Sequence, residues 1–282
     1  MFDIAIPAPH INPIAFEIPK FHIFDWSIGP LDIRWYALGY IAGIIIAWNI
    51  LAYLSKNGKI WGKEIAPFNT ENVDDFIFYA ILGILLGGRL GYVFFYAPQM
   101  LLNPISILKT WEGGMSFHGG ILGVAISVFW VSISKKVKFL SLADAVALAS
   151  PIGIGIVRIA NFINQELWGR VTDVPWAFIF ETDEKQLPRH PSQLYESIFE
   201  GFLPFIILYI AVFKFKSLQK NGLTAGIFLC LYSIARISLE NFREPDAGLI
   251  FGFTRGMVYS IPLLLLGIGF ILNSLRKKEV TI

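Results

Sequence analysis

Arg158-Ile159-Ala160-Asn161-Phe162-Ile163-Asn164-Gln165-Glu166-Leu167-Trp168-Gly169-Arg170 continues an apolar segment that begins near Leu142 and is long enough to span a bilayer. An arginine therefore falls inside a membrane-length segment. Three carboxamides, a carboxylate and a second arginine follow closely. An arginine at the middle of a membrane helix costs roughly 3 kcal/mol on insertion scales, so it faces a protein interior or a watery cavity and has a partner. At helical spacing Arg158, Asn161 and Glu166 project from roughly one face. One cation, with hydrogen-bonding groups and an apolar surround, suits an anionic, lipid-like ligand. The competing reading is a polar clamp between helices.

Outside this stretch the composition is equally apolar. Of 282 residues, 55% are hydrophobic and only 16% charged, against about 25% charged in soluble domains. Apolar segments of roughly 20 residues recur from Trp35 onward, matching the hydrocarbon core at helical rise. The expected fold class is an all-α polytopic membrane protein with seven transmembrane helices, at about 35–54, 76–96, 119–134, 142–163, 196–213, 223–239 and 256–275. Residues 1–34 form a proline-rich, irregular segment expected at the membrane surface, with a strand across 21–28 and a turn at Gly29-Pro30. The segment lacks early basic residues and an apolar h-region, so it does not read as a cleavable signal peptide. The transmembrane domain covers 35–275, and 276–282 is a tail. No internal repeat is evident. A net charge of +2 gives no reason to expect nucleic acid as a partner, and the single Cys230 excludes an intrachain disulfide and a cysteine metal cluster.

Basic residues orient the chain. Lys56, Lys59, Lys63, Lys135, Lys136, Lys138, Lys214, Lys216, Lys220, Arg276, Lys277 and Lys278 fall on one side, in short connections. Lys20, Arg34, Lys109, Arg170, Lys185, Arg189, Arg243 and Arg255 fall on the other, spread over longer loops. The positive-inside rule then puts the N-terminus outside and the C-terminus in the cytoplasm. The unusual loops, 97–118, 164–195 and 240–255, are all on the outer side. A small extracytoplasmic cap is expected mainly at 164–195, where Val174-Pro175-Trp176-Ala177-Phe178-Ile179-Phe180 has strand character. Chemistry belongs toward the outer leaflet.

Four polar clusters approach that side. Gly87-Gly88-Arg89-Leu90-Gly91-Tyr92 combines small residues that let helices approach with an arginine that either snorkels or binds ligand. Trp111-Glu112-Gly113-Gly114-Met115-Ser116-Phe117-His118-Gly119-Gly120 places His118, a candidate base or ligand or else a structural histidine, at the mouth of the third span. The opening stretch is the third cluster. In the fourth, Arg236 and Glu240 lie four apart on one helical face and could simply pair, with Arg243 a turn further on. Arginine's fork matches phosphate oxygens. His190-Pro191-Ser192-Gln193-Leu194-Tyr195-Glu196 caps the fifth span. Tyr36, at the start of the first, reads either as an interfacial anchor or as a site residue. No zinc set, Walker loop, serine triad or cofactor fingerprint stands out. On the residues alone, an enzyme and a transporter for a phosphorylated amphiphile both remain open.

Together these clusters resemble the bacterial prolipoprotein diacylglyceryl transferases, from Ile33-Arg34-Trp35-Tyr36 through Gly256-Met257-Val258-Tyr259-Ser260-Ile261-Pro262. The most specific match is to a Gly-Arg-x-x-Asn-Phe-x-Asn-x-Glu-x-x-Gly signature. Val157 stands here where the family usually has glycine, and every polar position is intact. The His-Pro-Ser-Gln-Leu-Tyr-Glu and Arg-Glu-Pro-Asp segments follow in order. The resemblance implies transfer of the diacylglyceryl group of phosphatidylglycerol to the lipobox cysteine of a prolipoprotein signal peptide. It implies no metal or organic cofactor, a multi-pass protein of the bacterial cytoplasmic (inner) membrane, and contact with membrane lipids. By family correspondence Arg158 binds the phosphatidylglycerol head group, Arg236 is a second essential arginine oriented by Glu240, and His118 is the proposed base. Tyr36, Asn161 and Gly169 match positions the family needs, while Glu166, Arg89 and Arg243 are further candidates for substrate binding. Rival readings are a flippase for anionic amphiphiles, against which the absence of repeated halves counts, and a non-enzymatic lipid-binding subunit.

Overall fold

A computed structural model describes residues 5–23, 26–109, 113–245 and 248–276. Trp111, Glu112, Asp246, Lys277 and Lys278, which entered the reading above, lie outside the described residues. The chain divides into two compact units, Met1–Ala47 with Val146–Ile282, and Trp48–Ala145.

In the second unit, α2 (Thr70–Phe95) starts earlier than its apolar pattern suggests. Asn69 and Asn72 satisfy each other's backbone N–H groups in a capping box, at 2.9 and 3.0 Å, which extends the helix through a polar first turn. A 3₁₀ turn (Pro98–Leu102) and the short α3 (Pro104–Leu108) follow. Next comes α4 (Phe117–Ser134), whose N-cap Ser116 accepts the Gly119 N–H at 3.2 Å. The glycines of α2 and α4 bring the two backbones into contact. A Cβ on Gly83 would lie 2.5 Å from the Gly123 carbonyl oxygen, and one on Gly91 would lie 2.8 Å from the Gly119 Cα. This is the close approach that small residues at four-residue spacing permit.

The first unit carries the remaining helices. These are α1 (Trp35–Lys56) and α5 (Phe139–Ile163), each of which runs across a unit boundary, then α6 (Ser192–Glu196), a π-helical turn (Ser197–Phe202), α7 (Leu203–Phe213), α8 (Leu223–Leu239) and α9 (Arg255–Arg276). Among the described residues, five helical runs are long and apolar enough to cross a membrane: α1, α2, α5, Ser192–Phe213 and α9. Two shorter apolar helices, α4 and α8, stand at the other two expected positions. The chain is mostly helical, as a polytopic membrane protein is.

The N-terminal segment corrects the sequence reading. Residues 14–23 and 26–34 contribute paired strands. Here β2 (Ile14–Ile18) pairs antiparallel with β5 (Leu31–Arg34), and β3 (Phe21–Ile23) pairs with β4 (Trp26–Ile28). The single strand expected across 21–28 is therefore two short antiparallel strands among the described residues. The overlooked signal is the period-2 alternation of Ile14, Phe16 and Ile18, and of Leu31 and Ile33. Another strand, β1 (Ile6–Pro7), pairs parallel with β6 (Phe178–Ile179), which pairs antiparallel with β7 (Pro188–Arg189).

Candidate active site

The first unit gathers three arginines and three carboxylates at one end of its helices. Arg158 is near the C-terminus of α5, Arg236 and Glu240 are at the C-terminus of α8, and Glu196 and Glu200 lie in the first turns of the α6–α7 run. Arg158 reaches two carboxylates, with Nε 3.0 Å from Glu196 Oε2 and Nη2 3.2 Å from Glu200 Oε2. The Nη1 of Arg236 donates to Glu196 Oε1 at 3.1 Å and to Glu200 Oε1 at 3.3 Å, while its Nη2 lies 2.5 Å from Glu240 Oε1. Arg243 Nη1 donates to the same Glu196 Oε1 at 2.9 Å. All six side chains are buried, and those of Glu196 and Glu200 almost completely.

Local structure explains why these groups meet. The π-helical turn directly follows Glu196 and contains Glu200. Such widened turns recur at functional sites because they re-aim side chains. At Gly201 a Cβ would lie 2.4 Å from the Gly155 Cα, so only glycine lets this turn press against α5. Ser197 Oγ donates to the Gly155 carbonyl at 2.8 Å across the same contact. Arg158, one helical turn beyond Gly155, is thereby brought onto both carboxylates.

The Asn164–Arg170 and Glu240–Arg243 stretches close over this end. Gly169 and Arg243 form an antiparallel bridge, the Gly169 N–H donates to the His190 carbonyl at 2.9 Å, and the Arg170 N–H donates to the Phe242 carbonyl at 2.9 Å. A Cβ on Gly169 would meet the Phe242 and His190 carbonyl oxygens at 2.5 and 2.6 Å. Glu166 Oε1 accepts from Asn161 Nδ2 at 2.7 Å and from Asn164 Nδ2 at 3.3 Å. The Oδ1 atoms of both asparagines are buried without a hydrogen-bond partner among the described residues. Tyr36, in the first turn of α1, shares a hydroxyl–hydroxyl contact of 3.2 Å with Tyr40. Residues 164–168 with Thr182, Glu244 and Pro245 line an open depression beside these groups.

A second ion pair braces the loop layer. Arg189 holds Asp183 through both oxygens, at 2.6 and 3.1 Å, donates to the Gly169 carbonyl at 3.2 Å, and stacks its guanidinium 3.7 Å from the Trp168 ring centroid. Hydrogen bonding from Arg189 holds the Asp183 carboxyl below the usual carboxylate range. Nearby, burial lowers the pKa of His190, whose Nδ1 lies 3.2 Å from the Tyr195 hydroxyl.

The remaining two candidates, Arg89 and His118, belong to the second unit. Arg89 is buried, and its five N–H groups meet five backbone carbonyls. Nε donates to Ile107 at 2.8 Å, Nη2 to Ser106 at 2.7 Å and Lys109 at 3.0 Å, and Nη1 to Gly114 at 3.0 Å and to Gly113. Gly113 and Gly114 carry positive φ of 86° and 84°, a conformation that favours glycine. They lead directly into α4, where the half-buried His118 occupies the first turn.

Sequence reasoning missed Glu200 and treated Glu196 only as part of a cap. Their signal was present, because two carboxylates four residues apart opened an otherwise apolar, membrane-length segment. The rule that flagged Arg158 applies equally to them. In chemical terms the cluster is a set of buried guanidiniums paired with the protein's own carboxylates.

A family model described as prolipoprotein diacylglyceryl transferase matches residues 24–273. Three curated relatives carry the name phosphatidylglycerol--prolipoprotein diacylglyceryl transferase. The one from Bradyrhizobium diazoefficiens is 46% identical over 270 residues, covering 94% of this chain and 95% of its own length. That from Brucella anthropi is 45% identical over 278 residues, with 95% of each covered. The Bartonella bacilliformis protein is 43% identical over 282 residues, covering 96% of this chain and 95% of its own. On this likeness, which runs through both units, the chain belongs to the prolipoprotein diacylglyceryl transferase family.

Proposed function

We propose that this protein transfers the diacylglyceryl group of phosphatidylglycerol to the thiol of a prolipoprotein's lipobox cysteine. The cysteine sulfur attacks the glycerol carbon bonded to the phosphate oxygen. A carbon–sulfur bond forms, the carbon–oxygen bond breaks, and glycerol phosphate leaves with the bonding electron pair. The thiol proton passes to a base. A free thiol has a pKa near 8.5, so the step needs that base or a cationic setting.

The observation that carries this reading is the convergence of Arg158, Arg236 and Arg243 at one end of the apolar helices. Guanidinium groups aimed at a leaving phosphate in a dry site stabilise the charge that develops there. Arg158 and Arg236 take the phosphate, Glu240 orients Arg236, and Arg243 completes the cluster. Asn161, Asn164 and Glu166 offer acceptors for the hydroxyls of the glycerol head group. Tyr36 flanks the site, and Gly169 keeps the loop pairing that carries Arg243. His118 is the base. Arg89, whose donors go to backbone carbonyls, positions the segment leading to His118. The helices make seven crossings of the bacterial inner membrane, with the N-terminus outside and the C-terminus in the cytoplasm. Residues 164–195, joined by the N-terminal strand, form a cap over the outer leaflet.

The test is a transfer assay in detergent with phosphatidylglycerol and a synthetic lipobox peptide. A cysteine-dependent mass gain of one diacylglyceryl unit is expected. It should vanish in Arg158→Ala and when phosphatidylethanolamine replaces the lipid. Lipid binding without any mass gain would overturn the reading in favour of lipid movement.

A further inference from the structure

We propose that Glu196 and Glu200 are built-in counter-anions. They hold the three arginines in place of a phosphate and restrain the site's grip on the glycerol phosphate that leaves. This inference rests on the phosphate-site reading above.

The geometry starts it. Glu196 alone is shared by three guanidiniums, through Oε2 to Arg158 at 3.0 Å and through Oε1 to Arg236 at 3.1 Å and Arg243 at 2.9 Å. Glu200 bridges Arg158 and Arg236 at 3.2 and 3.3 Å. No side-chain area of Glu200 is exposed, and only 1% of that of Glu196. Arginine remains protonated in proteins. Buried charges left without partners are strongly destabilising, so the three cations require these anions when no lipid is bound. With Glu240 the ledger is three positive charges against three negative. Among the described residues the formal charges of these six groups cancel.

That balance bears on turnover. A phosphodiester brings one negative charge, whereas released glycerol phosphate carries close to two at neutral pH. Three uncompensated arginines would bind the product more tightly than the substrate and slow its departure. Interactions that stabilise substrate and product alike add nothing to the chemical step. Two fixed carboxylates on the same guanidiniums oppose the extra charge of the product more than the single charge of the substrate. They act as positioning and compensating groups, and neither needs to touch the reacting atoms.

Glu196→Gln and Glu200→Gln each preserve shape and one carbonyl acceptor while removing one negative charge. In each variant, inhibition of transfer by added glycerol phosphate should tighten about tenfold or more, as one charge a few ångströms away predicts. The KM for phosphatidylglycerol should fall with it, and kcat should fall because product release slows. A carboxylate that only held the arginines in place would weaken both substrate and product when replaced. Weaker or unchanged glycerol phosphate inhibition in the two variants, with transfer intact in the parent protein, would overturn the proposal. Failure of both variants to fold would also overturn it, by assigning the carboxylates to stability. Absence of transfer in the parent protein would instead sink the underlying functional reading.

Discussion

Gly169 and Arg243 face each other across an antiparallel bridge, and the same bridge sets the Arg243 guanidinium 2.9 Å from Glu196. A methyl group at Gly169 would press on the Phe242 and His190 carbonyl oxygens from both sides. Overpacking of this kind costs about 1–3 kcal/mol. Gly169→Ala should lower the thermal midpoint modestly and cut transfer at least about tenfold by displacing Arg243. The two changes should not be additive. Arg243→Ala alone and the double variant should show nearly the same rate, because both lose one contact. A full additional loss in the double variant would mean that Gly169 acts independently of Arg243.

Arg89 invites a different expectation. A guanidinium that spends five N–H groups on five carbonyls is fixing backbone, and lysine has only three donors arranged around a point charge. Arg89→Lys should therefore release the backbone at residues 106–109 and 113–114, seen as faster amide hydrogen exchange there. Transfer should fall through kcat, with KM for phosphatidylglycerol little changed. A large rise in KM with unaltered exchange would instead make Arg89 a lipid ligand.

The loop layer should loosen with acid in two stages. His190 has a pKa lowered by burial from its ordinary 6.5, so the unfolded chain takes up the proton first. Its contribution is complete above pH 6.5 and is lost as pH falls from there through the depressed value. Asp183 is held below its ordinary 3.8 by Arg189, so its contribution survives to about that pH and is lost further down. Removing one partner of a buried, bidentate pair costs about 3–5 kcal/mol. Asp183→Asn should then destabilise the protein even at neutral pH and erase the lower stage. Thermal midpoints across pH 2–8 would reveal both stages. A parent profile flat below pH 4 would exclude the Asp183 contribution.

The helices were legible because hydrophobic runs of membrane length are strong local signals. Their ends were less so, since Asn69 and Asn72 extend α2 by a capping arrangement invisible to hydropathy. In the N-terminal segment, proline-rich composition hid the short alternations in β2 and β5. At the site, arginines stood out in apolar surroundings and Arg236 pairs with Glu240 as their spacing allowed. Glu196 and Glu200 carried the same signal of charge opening an apolar segment, but their pairing with arginines 36 to 47 residues away in sequence is written in no local pattern. The π-helical turn that follows Glu196 depends on the meeting of Gly155 and Gly201, a long-range contact that no local pattern encodes.

His118 occupies the first turn of α4, behind the Ser116 cap and two glycines of positive φ. That setting fixes the backbone of the residue proposed to take the thiol proton. His118→Gln keeps a hydrogen-bonding side chain but cannot accept a proton at neutral pH. General-base loss of this kind costs about a hundredfold in rate. Phosphatidylglycerol binding and the thermal midpoint should stay near those of the parent. The decisive comparison replaces the peptide's cysteine with selenocysteine, which is already ionised at neutral pH. If His118 removes the proton, the selenocysteine peptide should recover most of the lost rate in His118→Gln and gain little in the parent. An equal deficit with both peptides would make His118 a positioning residue and leave activation of the thiol to the arginine cluster.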